Sequence, residues 1–145
     1  MTRIPGWIFL LPMACALGLA GCVTRDIGTA PAAPDPAHSS RNALDWAGTY
    51  EGVVPCADCP GIRMRLTLQR DGRFILSTQY QGRQATPQTV QGSFSWNAAG
   101  STVTLEGAGG GQQFRVGEGR LLQLDRDVGV PPWNAPGRVL TRHPD

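Results

Sequence analysis

The stretch IRMRLTLQ, residues 62–69, narrows the choice of fold more than any other part of the 145-residue chain. Ile62, Met64, Leu66 and Leu68 alternate with Arg63, Arg65, Thr67 and Gln69. A helix would scatter these apolar residues around its circumference, whereas a strand collects them on one face, so this period-two pattern predicts a half-buried β-strand. RDGR (70–73) follows and predicts a hairpin, because Asp-Gly supplies the positive φ that a type I′ turn requires. RFILSTQY (73–80) then sets Phe74, Leu76 and Tyr80 on one face and Ile75 on the other.

The same pattern recurs along the chain. GTYEGVV (48–54) precedes the hairpin; QTVQGSFSW (88–96), STVTLE (101–106), QQFRV (112–116), RLLQLD (120–125) and GRVLTR (137–142) follow it. Gly92 interrupts the face made by Val90, Phe94 and Trp96, as a bend or bulge at a barrel corner would. GAGGG (107–111) reads as a flexible tip, and DVGVPPWNAPG (127–137) as a Pro-rich loop carrying Trp133. No amphipathic helix of useful length is written in the chain. The expected fold is all-β: a small antiparallel up-and-down barrel of about eight strands, since closure removes exposed edges. An interior of that size is either filled by side chains or holds one small ligand. A two-sheet sandwich is the alternative.

The amino terminus sets the compartment. MTRIPGWIFLLPMACALGLAGC (1–22) has a basic residue, Arg3, then an apolar run from Ile8 to Ala20, then small residues. This is the layout of a secretory signal, and the run is shorter than the ~20 residues that a membrane span needs. Leu19-Ala20-Gly21-Cys22 resembles the lipobox of bacterial lipoproteins. The resemblance implies cleavage after residue 21, a diacylglycerol on the Cys22 sulfur and acylation of its freed amine. More than one acyl chain makes such an anchor stable. Val23 stands where the inner-membrane retention rule wants Asp, so an outer-membrane, periplasm-facing location is implied. Residues 22–45, with the Pro- and Ala-rich TAPAAPDPAHSS, are expected to form a disordered or polyproline-like tether in which His38 has no role. The folded domain is expected over 46–142.

Composition excludes several functions. The formal charge is +2, every basic residue is Arg, and the arginines form no nucleic-acid footprint. No Ser/His/Asp set, paired carboxylates or phosphate loop is present, and Glu51 is an isolated acid, so an enzyme is not expected. Arg63, Arg65, Arg70 and Arg73 surround the first hairpin, either as a solvated face or as a surface for an acidic partner. Trp46 and Trp133 either line a ligand mouth or cap a barrel end. A monomer is expected.

Two of the four cysteines, Cys15 and Cys22, are spent on the signal and the anchor, leaving Cys56 and Cys59 in VPCADCPG (54–61). A thioredoxin-type couple needs a helix N-terminus to lower the thiol pKa, whereas here Pro60-Gly61 leads into a strand and Asp58 adds opposing charge. Two readings stay open. One is a disulfide, expected of a cysteine pair in an exported chain. The other is capture of a soft ion, Cu(I), by two thiolates. His143 and Met64 are the only candidate helpers for such a site; the first reads as a solvated terminal residue and the second as core.

Trp46-x-Gly48-x-Tyr50-x-Gly52, then Val54-Pro55-Cys56-Ala57-Asp58-Cys59-x-Gly61-Ile62, then Asp71-Gly72, resembles the N-terminal domain of the NlpE family of copper-resistance lipoproteins. The resemblance covers most of residues 46–142. It implies a lipocalin-like barrel, an outer-membrane lipoprotein linked to copper tolerance and to the Cpx envelope-stress response, and contact with a periplasmic sensor kinase. It maps the family's CxxC onto Cys56 and Cys59. The best-known members carry a second, OB-like domain that this chain does not show. Two other roles compete: a carrier of a small apolar ligand held by Leu66, Leu76 and Phe94, and a structural partner-binding module in which the cysteines only staple a loop.

Overall fold

The computed structural model describes residues 35–125 and 130–144. The signal segment, Cys22 and the first part of the expected tether lie outside the described residues. Eight antiparallel strands close into a barrel in simple sequential order: β1 (Gly48–Val54), β2 (Ile62–Leu68), β3 (Arg73–Tyr80), β4 (Gln88–Trp96), β5 (Thr102–Leu105), β6 (Gln113–Gly117), β7 (Arg120–Leu124) and β8 (Val139–Arg142). Closure comes from β8 returning to β1, with Tyr50 opposite Arg142 and Glu51 opposite Thr141. The expected barrel forms, and the sandwich does not.

Strand phase decides what is inside. Met64, Leu66 and Leu68 of β2 point inward beside Phe74 and Leu76 of the adjacent strand β3, with Leu66 paired to Leu76 and Leu68 to Phe74, and Trp46, Tyr50, Val54, Phe94, Val103, Leu105, Phe114, Val116, Leu121 and Leu140 complete the core. Arg63, Arg65, Arg73 and Ile75 occupy the opposite phase and meet solvent. The arginines of the first hairpin are exposed, and two of them pair with acids of this chain: Arg65 with Glu51 at 3.0 Å and Arg70 with Asp45 at 2.7 Å. Such exposed pairs contribute about 0–1 kcal/mol each.

Several local expectations are corrected. The β2–β3 turn is not the two-residue type I′. Gln69 and Arg73 close a three-residue loop: the Gly72 amide donates to the Gln69 carbonyl, and Gly72 itself takes φ +84°. That is the type I turn followed by a left-handed glycine common in longer hairpins. Gly92 marks no bulge, since the β3–β4 register runs through it with Phe74 opposite. It gives room instead: a Cβ there would stand 3.0 Å from the Phe74 ring. The GAGGG tip is ordered, with Gly107–Gly109 forming a short 3-10 turn and Gly109 buried.

The expected tether is ordered at its C-terminal end. Helix α1 (Ser40–Ala43) docks under the barrel, where the Ser40 hydroxyl donates to the Val116 carbonyl at 2.9 Å and the Arg41 amide to the Gly100 carbonyl at 2.9 Å. Trp46 then enters the barrel end and meets Trp96 and Phe94 edge-on, with ring centroids 5.3 and 5.8 Å away. Its indole donates to the Arg41 carbonyl, so both faces of this plug are satisfied. The ordered region therefore begins before residue 46.

Candidate functional site

The meander gives the barrel two unlike ends. One end, the floor, carries α1, Trp46 and the β2–β3, β4–β5 and β6–β7 hairpins. The other, the rim, carries the cysteine loop (55–61), the β3–β4 loop (81–87), the glycine loop (106–112) and the start of the long β7–β8 connection. Each strand of about six residues at ~3.3 Å per residue sets the two ends about 20 Å apart.

At the rim, Cys56 and Cys59 are joined in a disulfide with their Cα atoms 5.3 Å apart, and both residues are partly exposed. Prolines 55 and 60 flank the bridge and limit the loop's freedom. The neighbouring β3–β4 loop clasps it. One Arg83 nitrogen reaches the Asp58 carboxylate at 2.8 Å and donates to the Asp58 carbonyl at 3.0 Å, and the Gln81 amide donates to the Gly61 carbonyl at 2.9 Å. Arg83 thus offsets the negative charge that Asp58 brings between the two sulfurs.

Below this loop the barrel is open. A cavity of about 370 Å³ is walled by Val54, Pro55, Ile62, Met64, Leu76 and Val90 on its apolar side, and by Thr78, Tyr80, Gln88, Gln112 and Gln123 on its polar side. Leu66, Phe74 and Phe114, the next inward-phase residues along the strands below Met64, Leu76 and Gln112, are fully buried. A second depression of about 290 Å³ shares Pro55, Gln112 and Gln123 with the first and runs outward past Gly110, Gly111 and the Asp125–Arg138 ion pair.

The structure separates most of the other residues singled out from the sequence. Trp46 plugs the floor, where with Arg41, Arg70, Phe94 and Trp96 it lines a depression of about 360 Å³ at the end of the barrel opposite the rim cavity. Trp133 lies outside the barrel: it covers Gly117, where a Cβ would stand 2.7 Å from its ring, and the Arg115 and Arg120 guanidinium groups each sit 5.0 Å from its centroid. The two tryptophans therefore share no ligand mouth. His143 continues β8 at the floor, its amide donating to the Thr49 carbonyl at 2.8 Å, so the barrel's length separates it from the cysteines. Met64 is buried and walls the cavity near the cysteine loop. Leu66 and Phe94 are packed in the core, and only Leu76 of the expected ligand-holding trio reaches the cavity. Among the described residues no cluster of three or more His, Cys, Asp or Glu side chains could hold a metal. The cysteine pair, once reduced, is the soft-donor set present, and it suits a two-coordinate Cu(I) rather than a four-ligand ion.

Sequence reasoning missed the Arg83–Asp58 clasp, which joins residues 25 apart, and the rim glutamines. The glutamines did leave a signal. Gln88, Gln112 and Gln123 share strand phase with Val90, Phe114 and Leu121, so each is a polar side chain in the inward register at a strand's rim end.

Fold and site together define a small closed meander barrel with a plugged floor, an open top and a bridged loop at its lip. The sequence profile described as the NlpE N-terminal domain matches residues 50–131, more than half of the chain, and the chain belongs to that family. A crystal structure from Shewanella oneidensis, provisionally described as a lipoprotein, is 42% identical, with a TM-score of 0.64, over 72% of this chain and 95% of that one. Lipoprotein NlpE of Escherichia coli K12 is 30% identical over 80 residues, 54% of this chain; the chain spans about a third (34%) of that relative's length. The crystal structure described as the Cpx pathway activator NlpE from Escherichia coli is 30% identical over 55% of this chain and 43% of that one, with a TM-score of 0.46.

Proposed function

We propose that this protein is a non-enzymatic lipoprotein of the outer membrane, anchored through Cys22, that reports copper or redox stress in the envelope through its rim loop. The observation that carries the reading is the Cys56–Cys59 bridge in a partly exposed loop at the barrel's open end. The polypeptide enters the barrel at the other end, through α1 and Trp46. An anchor upstream of residue 35 therefore leaves the bridged lip free to meet a partner on the periplasmic side. Family membership supports a lipoprotein of the cell envelope, and the Escherichia coli relative described as a Cpx pathway activator supports a sensor kinase as the partner.

The proposed switch is chemical. A periplasmic dithiol reduces the bridge: the S–S bond breaks, two protons pass to the Cys56 and Cys59 sulfurs, and the donor's two thiols become a disulfide. Cu(I) then binds the pair, and the two thiol protons leave. Loss of the covalent closure frees a loop otherwise held by Arg83. Copper tolerance and partner contact both follow from that change in the loop.

The test is a Cys56→Ser/Cys59→Ser double variant expressed at the native level. It is expected to fold, with stability lower by about 2 kcal/mol because a four-residue closure constrains the unfolded chain only modestly. It is also expected to lose the copper-dependent stress response. A double variant that responds to copper as the wild type does would overturn the reading, and then the bridge is only a staple.

A further inference from the structure

The rim cavity is a preformed site, and its walls specify a ligand class independently of the cysteines. Depth along the strands sorts the lining. Met64, Leu76 and Val90 lie lowest; Gln88, Gln112 and Gln123 stand at or near the lip. The inward residues next below the lining, Leu66, Phe74 and Phe114, are fully buried in the core, so a ligand enters from the top and stops above them.

The wall is fixed in place. The glycine loop that contributes Ala108 is tied by the Gly111 amide to the Leu105 carbonyl at 2.9 Å, and by the Gln112 amide to the Gly109 carbonyl at 3.2 Å. Gly109 lies so close to Leu105 and Phe74 that a Cβ there would stand 2.4 Å from the first and 2.8 Å from the second. A volume of about 370 Å³ falls at the small end of the range, about 300–1,000 Å³, in which small-molecule sites lie.

Charge decides the head group. Among the described residues, no carboxylate, guanidinium or imidazole lines the cavity. In the adjoining depression the two charged residues, Asp125 and Arg138, pair with each other at 3.4 Å. An ionised head brought down to this lip would lose water and gain no countercharge from the described lining, a heavy cost. Amide and hydroxyl groups would instead meet Gln112, Gln123, Gln88 and Tyr80, which both donate and accept. The Gln123 amide already reaches the Gln112 carbonyl oxygen at 3.4 Å, so the two amides form a joint polar edge beside the depression.

We infer that the cavity binds a single-chain amphiphile without net charge, its tail on Met64, Leu76 and Val90 and its amide or hydroxyl head against Gln112 and Gln123. The test uses the full mature chain with its bridge intact and N-phenyl-1-naphthylamine as the fluorescent probe. Saturable one-to-one enhancement is expected. Monolaurin should displace the probe at a concentration at least tenfold below that needed with laurate at pH 8 or with dodecylammonium. Val90→Trp, which fills the cavity, should weaken probe binding at least tenfold with an unchanged thermal midpoint. Should that variant fail to fold, Gln112→Glu takes its place and should weaken monolaurin at least tenfold while favouring dodecylammonium. The Cys56→Ser/Cys59→Ser variant should bind the probe as the wild type does, which separates this site from the thiol switch. Absence of saturable binding, equal displacement by laurate, or full affinity in the filled or charged variant would overturn the inference.

Discussion

Tyr50 shows how much one side chain carries here. It is fully buried, it sits opposite Leu66 and Arg142 on the two neighbouring strands, and its hydroxyl donates to the Trp46 carbonyl at 2.7 Å. Burial pushes the phenol above the ordinary tyrosine value of about 10, the Arg142 charge pulls it partly back, and Asp45 adds to the rise. The unfolded chain therefore releases this proton at lower pH than the folded one. Stability is unaffected below about pH 10 and falls as pH rises from there towards the raised value, by up to about 1.4 kcal/mol per pH unit. Tyr50→Phe should lower stability by about 1–2 kcal/mol at neutral pH, through the lost hydrogen bond, and should show a shallower decline above pH 10. Urea unfolding of both proteins at pH 8, 10 and 11 measures this; parallel declines would refute the assignment. The sequence marked Tyr50 as part of a strand and of a motif, but its hydrogen-bond partner was not legible, because the Trp46 carbonyl depends on how the chain turns into the barrel. The cysteine pair was legible as a pair, and its neighbours were not, since Arg83 reaches Asp58 from another loop.

The connecting elements hold the larger surprises. Strand positions followed from alternation alone: Ile62–Leu68 and Arg73–Tyr80 lie where period two put them, because each has one wet and one dry face. Loops carry no such period. GAGGG has the composition of a mobile tip, yet it is pinned because glycine lets the backbone approach Phe74 more closely than any side chain would. The β7–β8 connection likewise looks like a plain Pro-rich loop. Leu122 tells otherwise: it pairs with Arg115 and Val139 in the outward phase, and it is fully buried. An outward residue reaches that state only under a covering segment, and this connection is the one that brings Trp133 onto the same face. At the glycine loop, Gly109→Ala should cost about 1–3 kcal/mol, because the methyl must displace Leu105 or the Phe74 ring from a filled core. Gly110→Ala, with nothing within 4 Å, should cost only the strain of its φ of +64°, about 1 kcal/mol. Thermal or urea midpoints rank the two; a smaller loss at Gly109 would show that the loop yields and is not pinned.

On the scale of the molecule, the barrel is asymmetric along its axis, and the segment before β1 creates much of that asymmetry. A meander closed only by β8 on β1 has a short seam, two residue pairs long. The floor side of the seam is reinforced from outside the strands: Arg142 donates to the Asp45 carbonyl at 2.7 Å and to the Ala47 carbonyl at 2.8 Å, tying the last strand to the chain just ahead of the first. Trp46 fills the floor behind it, and α1 locks Trp46 through the Arg41 carbonyl. None of this has a sequence period: it is built from backbone carbonyls and one indole, so a Pro- and Ala-rich stretch followed by Ser-Ser-Arg-Asn reads as tether up to the residue where the strands begin. The consequence is testable by truncation. A chain starting at residue 35 keeps the whole floor, whereas one starting at residue 47 loses the Trp46 plug, both α1 hydrogen bonds and the Asp45 contacts of Arg142. Loss of a buried tryptophan alone costs about 3–5 kcal/mol, a large fraction of the roughly 5–15 kcal/mol that holds a domain together. The longer chain should unfold cooperatively and keep slow amide exchange at Tyr50 and Leu140. The shorter one should melt at least 10 °C lower, with exchange fastest along the β1–β8 seam, while β2 and β3, paired over seven residues, stay the most protected. Equal stability of the two chains would mean that the strands close the barrel unaided and that the segment from Ser39 to Trp46 merely rests against it.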